Sequence, residues 1–253
     1  MFDLHCHLLP GVDDGADCTA TALALARVAV ADGTTHAVLT PHIHPGRYEN
    51  SLSRLTPVFD RFRESLAGAF AGETSGLQVA LGAEVRLTDE LPVLLEQGEI
   101  PFVGEWEGAQ VLLLELPHSH IPPGTDRLIQ WLARQGIRPL IAHPERNRDV
   151  LRDLARLRPL VKAGCLFQVT ATAVAGDFGP GAEKRARQLL ENNLVTVLAS
   201  DAHHLERRPP GLSRGRDAAA AIIGDDRARE LVVDNPRRLT ASRFARSGLE
   251  SPV

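Results

Sequence analysis

The sequence predicts an α/β fold in which parallel strands alternate with helices and close into a TIM-like barrel. Three observations predict it. Short apolar, β-branched runs recur at fairly regular intervals, segments with helical spacing lie between them, and seven or eight such units in a chain of 253 residues most naturally close into a ring. No residue-level repeat, low-complexity tract or linker interrupts the pattern, so one domain over residues 1–253 is expected.

The first run, "FDLHCH" (2–7), reads as a strand, and "CTATALALARVAVADG" after it as a helix that stops at Gly33 as a C-cap would. "HAVLTPH" (36–42), "QVALGAEV" (78–85) and "QVLLLEL" (110–116) supply three more strands. "GTDRLIQWLARQG" is the next clear helix, with Thr125 or Asp126 as its cap. "RPLIAH" (138–143), "CLFQVTA" (165–171) and "LVTVLASD" (194–201) complete seven strands. From about residue 235 the chain turns polar, which predicts a short helix and then a flexible tail beyond about 245.

Composition narrows the function classes. A net charge of −4 gives no electrostatic footprint for nucleic acid. No signal-peptide pattern or membrane-spanning apolar run is present, so a cytoplasmic protein, not embedded in a membrane, is expected. The three cysteines, Cys6, Cys18 and Cys165, are odd in number and widely spaced, which suits a reducing compartment. A thiolate phosphatase places an arginine six positions after its cysteine; those positions hold Val12, Ala24 and Ala171. All but two of the basic residues, Lys162 and Lys184, are arginines, for which genomic base composition is a better explanation than phosphate binding.

In a parallel barrel the active site lies at the C-terminal ends of the strands. Those ends carry His5, His7, His42, Glu84, Glu115, His143, Asp201 and His203, with Asp13 and Asp14 in the loop after the first strand. Any one of these would be unremarkable alone; six strand ends of seven are not. Alternation puts His5 and His7 on one face and Cys6 on the other. Imidazole with carboxylate suits first-row cations such as Mn²⁺, Fe²⁺ or Zn²⁺, and about nine donors exceed the needs of one ion, so two or three ions are expected. His44 is read as flanking the metals or facing solvent, His118 and His120 as loop residues that could frame the site but are better read as surface or capping residues, and His36 as structural.

These residues, in this order, resemble the polymerase and histidinol phosphatase (PHP) superfamily, whose members build a trinuclear metal site in a distorted seven-stranded (β/α) barrel. Within it, "DLHCHLLPGVDDGA", "TPHIHPGRYEN", "GAEVRLTDEL", "LLLELP", "IAHPERN", "QVTATAVAGDFG" and "LASDAHH" are similar to successive motifs of the bacterial capsule- and exopolysaccharide-operon protein-tyrosine phosphatases. The likeness runs from Met1 to about Pro236. It implies that His5, His7, Glu84 and Asp201 hold one metal, that Glu84 bridges to a second held by Glu115 and His143, and that Asp14, His42 and His203 hold a third, with Mn²⁺ the leading choice. It also implies phosphate-binding roles for Arg146 and for Arg208 (Arg207 being the neighbouring alternative), and it places Asp201 and His203 with them as catalytic. The implied substrate is phosphotyrosine in protein, on the tail of a bacterial tyrosine autokinase that controls polysaccharide export. The first helix keeps only Arg27 of the features shared by ring-forming relatives, so the oligomeric state stays open.

Four other readings compete. Histidinol phosphate or another small phosphate ester is the alternative within the same fold. An amidohydrolase also opens with H-x-H but commonly bridges its metals with a carboxylated lysine, and neither lysine falls at a strand end. An exonuclease lacks its aromatic stacking platform here, with two tryptophans and one tyrosine in the chain. A non-catalytic barrel does not need so complete a ligand set.

Overall fold

The computed structural model describes residues 1–72 and 76–244, so the expected flexible tail lies outside the described residues. Among the described residues there are ten strands: β1 (Phe2–Cys6), β2 (His36–Leu39), β3 (His42–Ile43), β4 (Gln78–Leu81), β5 (Glu84–Arg86), β6 (Gly104–Trp106), β7 (Ala109–Glu115), β8 (Ile137–Ala142), β9 (Leu166–Thr170) and β10 (Val197–Ala199). All pairings between them are parallel except that of β6 with β7.

The seven expected strands are present, two of them broken. Residues 36–42 divide into β2 and β3, and 78–85 into β4 and β5. One break falls at Pro41, which has no N–H for a ladder. The other falls at Gly82, where a Cβ would come within 2.7 Å of Val38 and 3.0 Å of Val103. The halves therefore sort into two sheets, β1-β2-β4 and β10-β9-β8-β7-β5-β3. Backbone bonds carry each ladder up to the break: Gly82 N–H donates to the Leu39 carbonyl at 2.8 Å beyond β4 and β2, and Glu84 N–H to that of Pro41 at 3.1 Å at the start of β5 and β3. At the far side Asp201 N–H donates to the His5 carbonyl at 2.7 Å and His7 N–H to that of Ala202 at 2.8 Å, tying the end of β1 to the residues after β10.

The antiparallel strand β6 was not expected. It is a three-residue run joined to β7 by Glu107 and Gly108, with φ of 51° and 81°, the tight turn that matches strand twist. The helix Thr125–Arg134 also starts differently: Gly124 occupies the cap position at φ 85°, and Thr125 lies buried with its hydroxyl donating to the Pro122 carbonyl. Helix Thr19–Ala31 buries Ala22, Leu25, Ala26 and Ala29, one face at helical spacing, and Gly33 follows at φ 90° as expected.

Alternation along the strands builds two apolar layers. Leu4, Val38, Leu113, Leu140 and Val197 form one buried cluster, while Leu39, Leu114, Ile141 and Leu198 pack with the helices in the other. Helix Asn235–Phe244 sends Leu239 and Phe244 into the first cluster. Phe244 also meets His36, whose ring stacks on Phe2 at 4.2 Å, so His36 is structural as expected. Hydrocarbon therefore fills the N-terminal ends of the strands. Thr40, Gln168, Thr170 and Ser200 are buried toward the C-terminal ends, where the polar site begins.

Candidate metal centre

The site starts with an irregularity in β1. Asp3 pairs with Ala37 and Cys6 with Leu39, three steps along β1 against two along β2, so β1 carries one extra residue. Such a bulge re-aims side chains. Leu4 joins the apolar cluster within the strands, His5 and His7 face the polar end, and Cys6 turns to the helix side with Sγ–H donating to the Val38 carbonyl at 3.6 Å. The Asp3 carboxylate braces the bulge: it accepts the N–H groups of His5 at 3.3 Å and Ser200 at 3.0 Å, and the Ser200 hydroxyl.

His5 in β1 and His7 just after it are each held through Nδ1. The Asp13 carboxylate accepts from His7 Nδ1 at 2.7 Å while also taking the backbone N–H of His42 at 3.0 Å and of Gly15 at 2.9 Å. Gln168 Oε1 lies 2.8 Å from His5 Nδ1. Both Nε2 atoms then point inward, 3.2 Å from each other; Glu84 Oε2 stands 3.2 and 3.3 Å from them, and Asp201 Oδ1 3.3 and 3.5 Å. Buried nitrogens and carboxylate oxygens aimed at one point form the donor set of a divalent cation, and a supporting acceptor behind each imidazole is what such ligands require. His42 Nδ1 adds a buried atom with no hydrogen-bond partner. The residues fit a metal centre.

The remaining expected ligands converge on the same place. Ligand atoms of His7, Asp14, His42 and His203 lie within 4.8 Å of one another, as do those of His5, His7 and Glu84, of His5, His143 and Asp201, and of His42, Glu84 and Glu115. His143 Nε2 is 2.7 Å from Glu84 Oε1 and 4.0 Å from Glu115 Oε1. All nine residues, His5, His7, Asp14, His42, Glu84, Glu115, His143, Asp201 and His203, are therefore brought together. Two stand where left-handed backbone turns them inward, His143 at φ 33° and Asp201 at φ 52°, conformations that cost energy outside glycine.

Burial opposes charge on every group here, but opposite charges outweigh it for the central carboxylates. Arg146 and His5 hold Asp201 well below the usual range, and His5 and His42 do the same for Glu84. Burial and then Arg146 bring His143 down to about 3, leaving its imidazole neutral with a lone pair to offer.

Two arginines reach over this cluster. Arg146 Nη2 donates to Asp201 Oδ2 at 2.5 Å, its guanidinium lying 4.8 Å from the Phe178 ring. Arg208 Nη2 donates to Asp201 Oδ1 at 3.1 Å and lies against the His203 ring, whereas Arg207 is exposed. Both Arg146 and Arg208 line a cavity of about 140 Å³ over the ligands, together with His44, Arg47, Tyr48, Arg86 and His118. His118 is exposed and also frames the site: its ring stacks on His143 at 5.4 Å and its Nε2 lies 3.4 Å from Glu115. Tyr48 lies parallel to His42 at 5.4 Å, and Arg86 donates to Glu115 at 2.9 Å. His120 is exposed beside Ser119, as expected. Gln168 and Arg86 were not singled out from the sequence, because neither an amide nor a guanidinium is a ligand type; Asp13 was placed near the site without its supporting role.

Fold and site together define an α/β protein with a candidate metal centre of histidines and carboxylates at the ends of parallel strands, overhung by arginines. The chain belongs to the capsular polysaccharide synthesis CpsB/CapC family, whose sequence profile matches residues 1–241. It is 34% identical to the putative tyrosine-protein phosphatase CapC of Staphylococcus aureus, over 83% of this chain and 79% of that one. It is 32% identical to the tyrosine-protein phosphatase CpsB of Streptococcus pneumoniae, over 94% of this chain and 98% of that one. A crystal structure from work on YwqE of Bacillus subtilis and CpsB of Streptococcus pneumoniae, described as unique metal-dependent tyrosine phosphatases, superposes with a TM-score of 0.86 at 30% identity, covering 96% of this chain and 95% of that one. An organophosphorus hydrolase from Deinococcus radiodurans, 16% identical with a TM-score of 0.53, shares the fold alone. No helix among the described residues is long and apolar enough to cross a membrane.

Proposed function

We propose that this chain is a metal-dependent protein-tyrosine phosphatase, a single domain on a distorted seven-stranded barrel, working in the cytoplasm on the phosphotyrosyl tail of a bacterial tyrosine kinase that controls polysaccharide export. The observation that carries the reading is the convergence of nine metal-binding side chains beneath Arg146 and Arg208 in one small cavity. The backbone bonds that tie β1 to the residues after β10, and those that carry each ladder up to the break, support the closed barrel. The names of the relatives support the substrate class.

Two or three divalent first-row ions, Mn²⁺ first among them, would be held by His5, His7, Asp14, His42, Glu84, Glu115, His143, Asp201 and His203. When bound, such ions make water acidic enough to supply a nucleophile near neutral pH. The chain's own groups do the rest. Arg146 and Arg208 grip the equatorial phosphate oxygens, and Phe178 beneath Arg146 restricts where that guanidinium moves. Their hold strengthens as charge shifts onto those oxygens. Tyr48 and His118 line the cavity mouth and flank the aryl ring. Since ligand pockets commonly span about 300–1,000 Å³, a cavity of about 140 Å³ admits the ester head and leaves the rest of a protein substrate outside. A phenolate leaving group, with a pKa of about 10, departs with little protonation. No thiol competes for the role of nucleophile: burial pushes Cys6 well above its usual pKa and Cys165 up to about 12, and Cys18 lies exposed on the first helix's cap.

The test is chelation and reconstitution. Protein stripped of metal should lose hydrolysis of a phosphotyrosyl peptide and regain it with Mn²⁺, with more than one ion per chain by elemental analysis. Full activity after stripping would contradict the proposal.

A further inference from the structure

We propose that Gln168 is a positioning residue of this centre, a single side-chain oxygen that sets two metal ligands from different strands at once. The inference rests on reading His5 and His143 as ligands, not on which ester is cleaved. Gln168 is fully buried on β9, the strand whose end supplies no ligand of its own. Its Oε1 lies 3.2 Å from the backbone N of His143 and 2.8 Å from His5 Nδ1.

The backbone N–H is a donor whatever the protonation of the histidines, so the amide must present its oxygen there; the reversed amide would set N–H against N–H. With the oxygen fixed, His5 Nδ1 is the donor of the second bond. The lone pair of neutral His5 is then on Nε2, facing Glu84 and Asp201. The first bond has a separate effect. His143 stands at φ 33°, a left-handed position unfavourable for histidine, and the oxygen of Gln168 helps hold it there. That conformation places His143 Nε2 2.7 Å from Glu84. The amide nitrogen of Gln168 has no hydrogen-bond partner, so the side chain contributes through its oxygen alone. Asp13 does the corresponding work on the other flank, for His7 Nδ1 and the His42 N–H.

Two substitutions separate the oxygen from the bulk of the side chain: Gln168→Met keeps the length and removes it, and Gln168→Glu retains an oxygen. Metal-stripped wild-type and variant proteins are titrated with Mn²⁺, free Mn²⁺ being read by electron paramagnetic resonance, and thermal unfolding of the metal-free proteins is followed alongside. The Met variant should bind Mn²⁺ about tenfold or more weakly while its metal-free form unfolds cooperatively, and the Glu variant should stay within roughly threefold of wild type. Wild-type affinity in a folded Met variant overturns the inference, as does a folded Glu variant weakened about tenfold. If the Met protein does not fold, the Glu variant decides by the same limits. A wild-type protein that binds no Mn²⁺ sinks the metal centre and this inference with it, which distinguishes that failure from the others.

Discussion

The imidazoles of His5 and His7 bring their Nε2 atoms within 3.2 Å between two carboxylates, an arrangement hard to account for without a cation. Replacing His5 or Glu84 by alanine should therefore abolish turnover and lower the metal content while leaving cooperative unfolding in place, since both lie at the strand ends and outside the apolar core. Circular dichroism melting with elemental analysis checks both halves of that expectation. Cys6→Ser should remain active and insensitive to thiol reagents, at a cost in stability of about 1–3 kcal/mol for burying a hydroxyl among hydrocarbon. Loss of activity with an intact fold would show the facing of β1 to be misread. Ligand-type residues were legible in the sequence because a strand end and a period of two are enough to place them. Gln168 was not, because an amide shows its purpose only when the atoms it touches are known. Arg208 is distinguished from Arg207 by the turn that follows His203, which leaves one guanidinium over Asp201 and the other in solvent.

Strands and loops show where pattern reading stops. Seven strands were visible as apolar runs, but a run does not reveal a bulge: β1 departs from strict alternation, and without its extra residue Leu4 and His5 would face opposite ways. The runs also read straight through Pro41 and Gly82, although a proline and a glycine are residues at which a ladder breaks. Gly15 belongs to the same scale. A Cβ there would lie 2.1 Å from the His7 carbonyl oxygen and 2.6 Å from its Cβ, so the loop bearing Asp13 and Asp14 packs against His7 only because that side chain is missing. Gly15→Ala should push the loop away, cost about 1–3 kcal/mol in stability and weaken metal binding. Calorimetric titration with Mn²⁺ checks it, and unchanged affinity would mean that the loop's approach does not matter to the centre.

The whole molecule separates stability from chemistry along the strand axis. Phe2, Leu239 and Phe244 seal the N-terminal ends, and the polar cluster occupies the C-terminal ends. Leu239→Ala, at a fully buried site, should cost about 2–5 kcal/mol in denaturant unfolding while leaving metal stoichiometry unchanged. The central claim concerns the ester, and it is tested most directly by comparing kcat/KM of the Mn²⁺-reconstituted protein on phosphotyrosyl peptide, phosphoseryl peptide and histidinol phosphate. The account predicts at least a tenfold preference for the phosphotyrosyl peptide over the phosphoseryl one, a difference of about 1.4 kcal/mol in the barrier, and a preference for it over histidinol phosphate. Equal rates on the two peptides, or a strong preference for histidinol phosphate, would contradict it.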